Sequence, residues 1–279
     1  MASKYHSVTI KPIVGDVLPN QAYTADDLLF DWKSFQIPKG TCAIKTINAI
    51  IPGTNSNAQI AATTPGANIN LFFATTYNGA APTSLGTLQS QIGKIAACKN
   101  RFNIIASQHL DVSEMVMGEG MTSFSVLGSG KNNQISVILN GDTEFSGDST
   151  NTDERNNLPH IEGYQTIWVA ATIQDALDLG TNVLLDGAIL TGAAGAQTLD
   201  VSEDQDADDV FAIGDELVAC AANGTSVQQI GTVTALGADT ITVDAKDIYG
   251  NTVWASGALV DDDEICFRRP IVLRFGIEY

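Results

Sequence analysis

The last nine residues, 271–279, read IVLRFGIEY, and they alternate: Ile271, Leu273, Phe275 and Ile277 share one side. Period-two alternation of this kind marks a half-buried β-strand, because successive side chains of a strand point to opposite faces. The same pattern recurs along the chain, and helical periodicity barely occurs. Residues 5–14 (YHSVTIKPIV), 42–51 (CAIKTINAII), 69–76 (INLFFATT), 101–107 (RFNIIAS), 134–139 (QISVIL), 163–173 (GYQTIWVAATI) and 183–190 (VLLDGAIL) all read as strands. In 28–35 (LLFDWKSF), strict alternation places Leu29, Asp31, Lys33 and Phe35 on one face and Leu28, Phe30, Trp32 and Ser34 on the other. Residues 174–180 (QDALDLG) offer one helical turn, and 118–131 read as a flexible glycine-rich surface loop. Short strands at regular spacing, with Gly, Pro and Asn between them, define an all-β fold of the jelly-roll-like sandwich type.

A charge boundary interrupts this pattern. Residues 186–264 hold 16 of the 32 acidic residues but one base, Lys246, while the rest of the chain holds the other 16 acids and 13 of the 14 bases. Inside the block, five short strands are expected at 197–201, 216–221, 228–235, 240–244 and 264–267, punctuated by Gly214, Asn223–Gly224, Gly231 and Gly237. Such a segment has the size and pattern of a small closed barrel able to fold alone. The apolar strand that follows it belongs by pattern with the first region. The expected organisation is therefore a sandwich formed by residues 1–190 plus 268–279, with an acidic small β-barrel inserted at 191–267.

Charge also limits the partners. The net charge is −18. A nucleic-acid groove needs positive potential to displace counterions, and an anionic membrane surface makes a similar demand, so neither is an expected partner. The start of the chain, MASKYHSVTIKPIVGD, lacks the apolar core of a signal peptide, and no apolar run reaches bilayer length, so synthesis in a cytoplasm is expected. Cys42, Cys98, Cys220 and Cys266 form no C-x-x-C pair and read as buried reduced thiols, although Cys220 and Cys266 lie in strands of one segment that a bridge could join.

Motifs for catalysis are missing from the sequence. His6, His109 and His160 stand in unrelated contexts, with no H-x-x-x-H or H-E-x-x-H spacing for zinc. There is no G-x-S-x-G elbow. Gly128-Ser129-Gly130-Lys131 lacks the spacing of a phosphate loop, since Asn132 follows the lysine. A glycosidase would need two facing carboxyls in an aromatic-lined cleft, and the aromatic residues here are scattered. No catalysis and no cofactor are expected. Calcium is the one ion with candidate ligands, because hard cations take several converging oxygens. Asp142, Glu144, Asp148 and Asp153, with neighbouring Glu154, form one acidic run. Asp200, Glu203, Asp204, Asp206, Asp208 and Asp209 form another. Neither follows the EF-hand pattern, and a solvated acidic face is the simpler reading of both. Trp32 and Trp168 fall in alternating strands as core residues, and Trp254 is read as core or barrel plug.

The phrases YHSVTIKP, FDWKSFQIPKGT and the IPG loop resemble virion structural proteins of marine tailed bacteriophages, of cyanobacterial type. The block FAIGDELVA followed by IGTVTALGADTITVD resembles small barrels that decorate phage capsid and tail proteins, with Phe211, Gly214, Asp215 and Ile230–Val233 in packing positions. The resemblance implies a capsid decoration or cement protein on the virion surface, a homotrimer bound to the major capsid protein and clamping neighbouring capsomers. An alternative under the same resemblance is a tail, baseplate or fibre component whose loop 140–159 contacts a host glycan. It also implies that an N-terminal arm, residues 1–8, adds a strand to a partner's sheet.

Overall fold

The computed structural model describes residues 4–52, 67–75, 81–93, 99–111, 116–118, 121–127, 135–138, 163–187, 195–202, 206–254 and 259–279. Its strands are β1 (Tyr5–Ile10), β2 (Leu28–Pro38), β3 (Thr41–Pro52), β4 (Ile69–Thr75), β5 (Ile104–Leu110), β6 (Val116–Gly118), β7 (Met121–Leu127), β8 (Ile135–Ile138), β9 (Tyr164–Ile173), β10 (Ala196–Asp200), β11 (Glu216–Cys220), β12 (Gln228–Gly237), β13 (Thr240–Asp244), β14 (Glu264–Phe267) and β15 (Val272–Glu278). A short helix, α1 (Ala207–Val210), lies between β10 and β11. The chain is almost entirely β, as its alternation requires, and every ladder among the described residues is antiparallel.

Two sheets form a sandwich. The first runs β1-β15-β3-β7-β6, with β8 beside the first half of β3 and β7 beside the second. The second runs β2-β9-β4-β5. Their inner faces share one apolar cluster, to which β3 gives Ile44, Ile47, Ala49 and Ile51, β15 gives Leu273, Phe275 and Ile277, and β9 gives Ile167, Val169, Ala171 and Ile173. Phe275 is its pivot. It stacks on Phe35 of the opposite sheet, with centroids 5.0 Å apart, and meets Phe73 edge to face at 5.7 Å. The second sheet is covered on its outer face too. There Leu28, Trp32, Ala74, Trp168 and Ala170 pack under Leu85, Leu88 and Ile92 of the segment 81–93. Burial on both faces explains why β9 is buried almost end to end.

The third sheet, β10-β13-β12-β11-β14, has its own apolar cluster, including Leu199, Phe211, Leu217, Ile230, Val243, Trp254 and Phe267. The expected barrel is not closed by strand ladders. Its edge strands are instead joined by residues 183–186. Leu184 forms an isolated bridge with Glu264, and Leu185 forms one with Val201. Main-chain bonds hold the seam on both sides: Leu185 N donates to Asp263 O while Asp262 N and Ile265 N donate back to Leu185 O and Val183 O, and Asp186 N donates to Asp200 O while Ser202 N donates back to Leu184 O. The seam is too short and irregular to count as a strand. It also packs Val183 and Leu185 into the third sheet's cluster, although the pattern read residues 183–190 with the first region. Residues 188–194 lie outside the described residues.

Three other expectations are corrected. In β2 the ladder shifts between Leu28 and Phe30 and again between Phe30 and Lys33. These bulges turn Phe30 into the sandwich core beside Leu29 and Phe35, away from Leu28 and Trp32. Residues 174–180 are not helical; Leu177 bridges Tyr23 instead. Residues 116–118 and 121–127, read as part of a surface loop or not assigned, are strands β6 and β7.

Phe275→Ala is expected to destabilise the protein by ~3–5 kcal/mol in urea unfolding, the range for truncating a fully buried phenylalanine. A loss below ~1 kcal/mol would show that Phe35 and Phe73 do not depend on that ring.

Candidate functional site

The chain crosses between the sandwich and the third sheet twice, outward after β9 and back after β14. Both crossings are held by buried carboxylates, and this root is the most polar buried region among the described residues. On the return path, Arg268 and Arg269 follow β14. Glu216, at the start of β11, is 3% exposed and lies between them. Its carboxylate accepts from Nη1 of Arg268 and, at 2.7 Å, from Nε of Arg269. Arg268 also donates from Nε and Nη2 to Asp16, at 2.7 and 3.0 Å. Arg269 reaches the carbonyl of Lys11 at 2.8 Å, and its guanidinium lies 5.9 Å from the Tyr249 ring centroid. Burial alone would lower the pKa of Arg268, but the hydrogen-bonded Asp16 and Glu216 outweigh it and hold it above the usual arginine value.

The backbone repeats the clamp. Arg268 N donates to Glu216 O at 2.8 Å, while Arg268 O accepts from Val14 N and Gly15 N at 2.9 and 3.0 Å. A β-carbon at position 15 would stand 2.2 Å from Phe267 O, so only glycine admits this approach. On the outward path, Glu264 plays the matching part. Its Oε1 accepts from Thr181 N and Asn182 N, both at 2.8 Å, and its Oε2 accepts from Asn20 Nδ2 at 2.8 Å. Asn20 Nδ2 also reaches the carbonyls of Ala221 and Ala222 at 3.4 Å. Loop 11–21 of the sandwich thus touches both crossings.

Several acids of the block have local work in turns. Asp215 accepts from Ala212 N at 2.8 Å and Asp263 from Val260 N at 2.9 Å. Asp247 accepts from Tyr249 N and Asn251 N and from the Asn251 side chain. Aspartate suits such turns because its short side chain bonds backbone two or three residues away. Burial raises the Asp215 pKa, against the Ala212 N–H and nearby Lys11, which lower it.

The sequence's candidate residues are not brought together. The calcium candidates Asp142, Glu144, Asp148 and Asp153 lie outside the described residues, as do Glu203, Asp204, His160 and Cys98. Asp200 ends β10, Asp206 precedes α1, and Asp208 and Asp209 lie within it. No group of three or more His, Cys, Asp or Glu side chains able to hold a metal occurs among the described residues. His6 packs edge to face on Tyr164 at 5.6 Å in the sandwich, and His109 Nδ1 lies 2.8 Å from Asn70 Oδ1. Cys220 and Cys266 are free, buried thiols on adjacent strands. Their hydrogen bond, reinforced by burial, holds Cys266 well above the usual thiol pKa. Cys42 lies in β3. A cleft of about 270 Å³ opens between loop 12–16, β2 and Gly86–Leu88. Both carboxylates on its walls are committed, Asp16 to Arg268 and Asp31 to Leu85 N at 3.0 Å, and Trp32 donates its indole N–H to Thr83 O at 2.9 Å. No helix among the described residues is long and apolar enough to cross a membrane.

No family model and no curated protein matches this chain. Solved structures give weak similarities. A chain of infectious bursal disease virus, Gx strain, is 7% identical with a TM-score of 0.17, over 99% of this chain and 40% of that one. Dimeric latent PorU from Porphyromonas gingivalis is 10% identical with a TM-score of 0.13, over 95% and 21%. A chain of Sulfolobus turreted icosahedral virus is 10% identical with a TM-score of 0.12, over 99% and 90%. This chain thus spans well under half the length of the first. Two of the three come from virus particles, but scores this low do not establish a common fold.

Glu216→Gln should cost ~3–5 kcal/mol, because it leaves two buried guanidinium groups facing a neutral amide. An unchanged urea midpoint would mean that the arginines find other partners. Asp215 provides a pH test. Its raised pKa means that the folded state binds a proton more readily than the unfolded chain. The charged carboxylate therefore costs stability at neutral pH, and the cost disappears as pH falls through its folded pKa. Asp215→Asn, which keeps an oxygen for Ala212 N–H, is expected to raise the melting temperature at pH 7 and to leave it unchanged well below the ordinary aspartate pKa. Equal melting curves at pH 7 would exclude the burial cost.

Proposed function

We propose that this chain is a non-enzymatic virion structural protein, a decoration or cement component that binds the outer surface of a capsid and clamps neighbouring capsomers. The observation that carries this reading is the doubly locked root. A strongly acidic unit is attached to a sandwich by two crossings whose carboxylates are buried and hydrogen-bonded, which favours one fixed direction of projection. Catalytic clefts commonly need a lid or a hinge. The carboxylates gathered here are committed to arginines and backbone N–H groups, which suits architecture better than proton transfer.

Charge supports the same division of labour. The block 186–264 carries 16 acids against one base, and the remainder 16 acids against 13 bases, so the net charges are −15 and −3. The nearly balanced part is suited to contact with a protein shell. The acidic part is suited to facing solvent, where it repels other particles and loose nucleic acid. The partners in this reading are the major capsid protein and further copies of the chain, with the homotrimer as the expected unit. The sequence phrases that resemble tailed-phage virion proteins point the same way.

Cryo-electron microscopy of purified particles that contain the chain provides the test. Density for the sandwich on the outer shell at capsomer junctions, with the acidic unit outward, is the expected result. Density on the tail alone would replace the clamping role with host contact, and absence from assembled particles would end the virion reading.

A further inference from the structure

Strand β1 is the outermost strand of its sheet among the described residues, and its far edge carries no charge, proline or bulge of its own. Lys4 and Tyr279 exchange two main-chain bonds, Lys4 N to Tyr279 O at 3.1 Å and Tyr279 N to Lys4 O at 3.0 Å. That fixes the phase of the β1–β15 ladder. His6, Val8 and Ile10 turn their main-chain groups toward Ile277, Phe275 and Leu273. Tyr5, Ser7 and Thr9 therefore turn their N–H and C=O groups outward, and β1 pairs with no strand on that side among the described residues. Of the expected strand-adding arm 1–8, residues 5–8 already belong to this chain's own sheet, and residues 1–3 lie outside the described residues. What remains available is the far edge.

Soluble proteins guard such edges with charge, proline or a bulge, because unpaired backbone groups template pairing with another chain. YHSVTI contains no lysine, arginine, aspartate, glutamate or proline, and its register with β15 has no shift. Its outward-facing side chains are exposed, Tyr5 at 72%. We infer that the β1 edge pairs with the β1 edge of a second copy, antiparallel about a two-fold axis through Ser7. With Ser7 opposite Ser7 of the other copy, the outward groups of Tyr5, Ser7 and Thr9 meet those of Thr9, Ser7 and Tyr5. Every outward N–H and C=O of both strands then has a partner. Tyr5 lies across from Thr9, a favourable aromatic and β-branched pair, and Lys4 lies across from Ile10, so no like charges oppose each other. Residue parity keeps the inner face of one sheet continuous with the inner face of the next.

Charge selects this occupant and this direction. Strand β1 runs into loop 11–16, which grips the root of the acidic unit through Asp16, Gly15 and the Lys11 carbonyl. Antiparallel pairing sends these two ends apart, so the two −15 units stand at opposite ends of the joined sheet. Parallel pairing would place them side by side. The contact is isologous and closes at two copies. It is separate from any three-fold association and does not depend on where the protein resides.

The test uses the full chain and two charge variants at the axis. Ser7 faces itself across the pair, and its N–H turns away from β15 and makes no bond among the described residues. Ser7→Lys and Ser7→Glu should therefore fold as the parent does, with unchanged circular-dichroism melts. Each variant alone should dimerise at least about ten-fold more weakly than the parent in sedimentation equilibrium, because like charges then oppose each other. An equimolar mixture of the two should form the heterodimer in preference to either homodimer, read by native mass spectrometry. A parent that stays monomeric up to millimolar concentration would overturn the inference. So would variants that self-associate like the parent, or a mixture that shows no preference for the mixed pair.

Discussion

The architecture depends on one buried carboxylate. Glu216 sits between Arg268 and Arg269 where the chain returns from the third sheet, and the sandwich reaches the same cluster through Asp16 and the Lys11 carbonyl. A buried ion pair gains little net stability over well-packed apolar residues, because desolvation offsets most of the attraction. It does penalise every arrangement that separates its members. Any tilt of the third sheet that pulled Glu216 from the arginines would strand two or three charges in a region with little water. The neighbouring contact of Gly15 against Phe267 O adds a steric limit. The cluster therefore sets orientation more than it sets stability, which is why three antiparallel sheets on one chain hold a defined relation.

The sandwich supplies the stability that the root does not. Phe275 reaches across to Phe35 and Phe73, so the terminal strand β15 is fastened to the opposite sheet as well as to its neighbours β1 and β3. This strand comes directly after Arg268 and Arg269. Residues 268–278 therefore complete both the core and the root, and the sandwich cannot be finished until the inserted sheet has brought its chain back. The second sheet is buried on both sides because the segment 81–93 lies over Trp32 and Trp168, which concentrates the apolar residues of β2, β4 and β9 in the middle layer.

Regular alternation made most strands legible. Residues 69–75, 135–138, 164–173, 240–244, 264–267 and 272–278 stand where their strand patterns placed them, because their residues fit a pleat. Departures arose where local pattern competes with tertiary context. The two bulges in β2 reverse the facing of Phe30, and no periodicity rule marks a bulge that lacks glycine. Strand β7 (MTSFSVL) was hidden by its run of serines and a threonine and by the glycines around it in sequence. The seam at 183–186 has two bridge residues and no strand pattern long enough to read. At the root, neither Glu216 nor Glu264 was distinguishable from the acidic background, since what sets them apart is burial. The pair Arg268-Arg269 was the available signal. Two adjacent arginines entering an apolar strand, just after a block with a single base, require carboxylate partners in the fold.

The acidic block has two physical explanations, and they act at different distances. At short range, Asp215, Asp247 and Asp263 are turn residues whose carboxylates satisfy backbone N–H groups, so each charge is incidental to a hydrogen bond that a neutral asparagine could also make. At longer range, the block itself holds no base except Lys246, which pairs with Asp244 at 3.5 Å, and Arg268 and Arg269 just beyond it answer Glu216. Turn chemistry alone would tolerate asparagine at many of these positions and lysine on the strands between them. The near absence of bases therefore asks for a cause beyond the fold of the unit. Mutual repulsion is the simplest one. It keeps these units apart when the sandwiches that carry them are brought together, and it leaves the uncharged β1 edge, at the other side of the same root, as the surface where copies can approach.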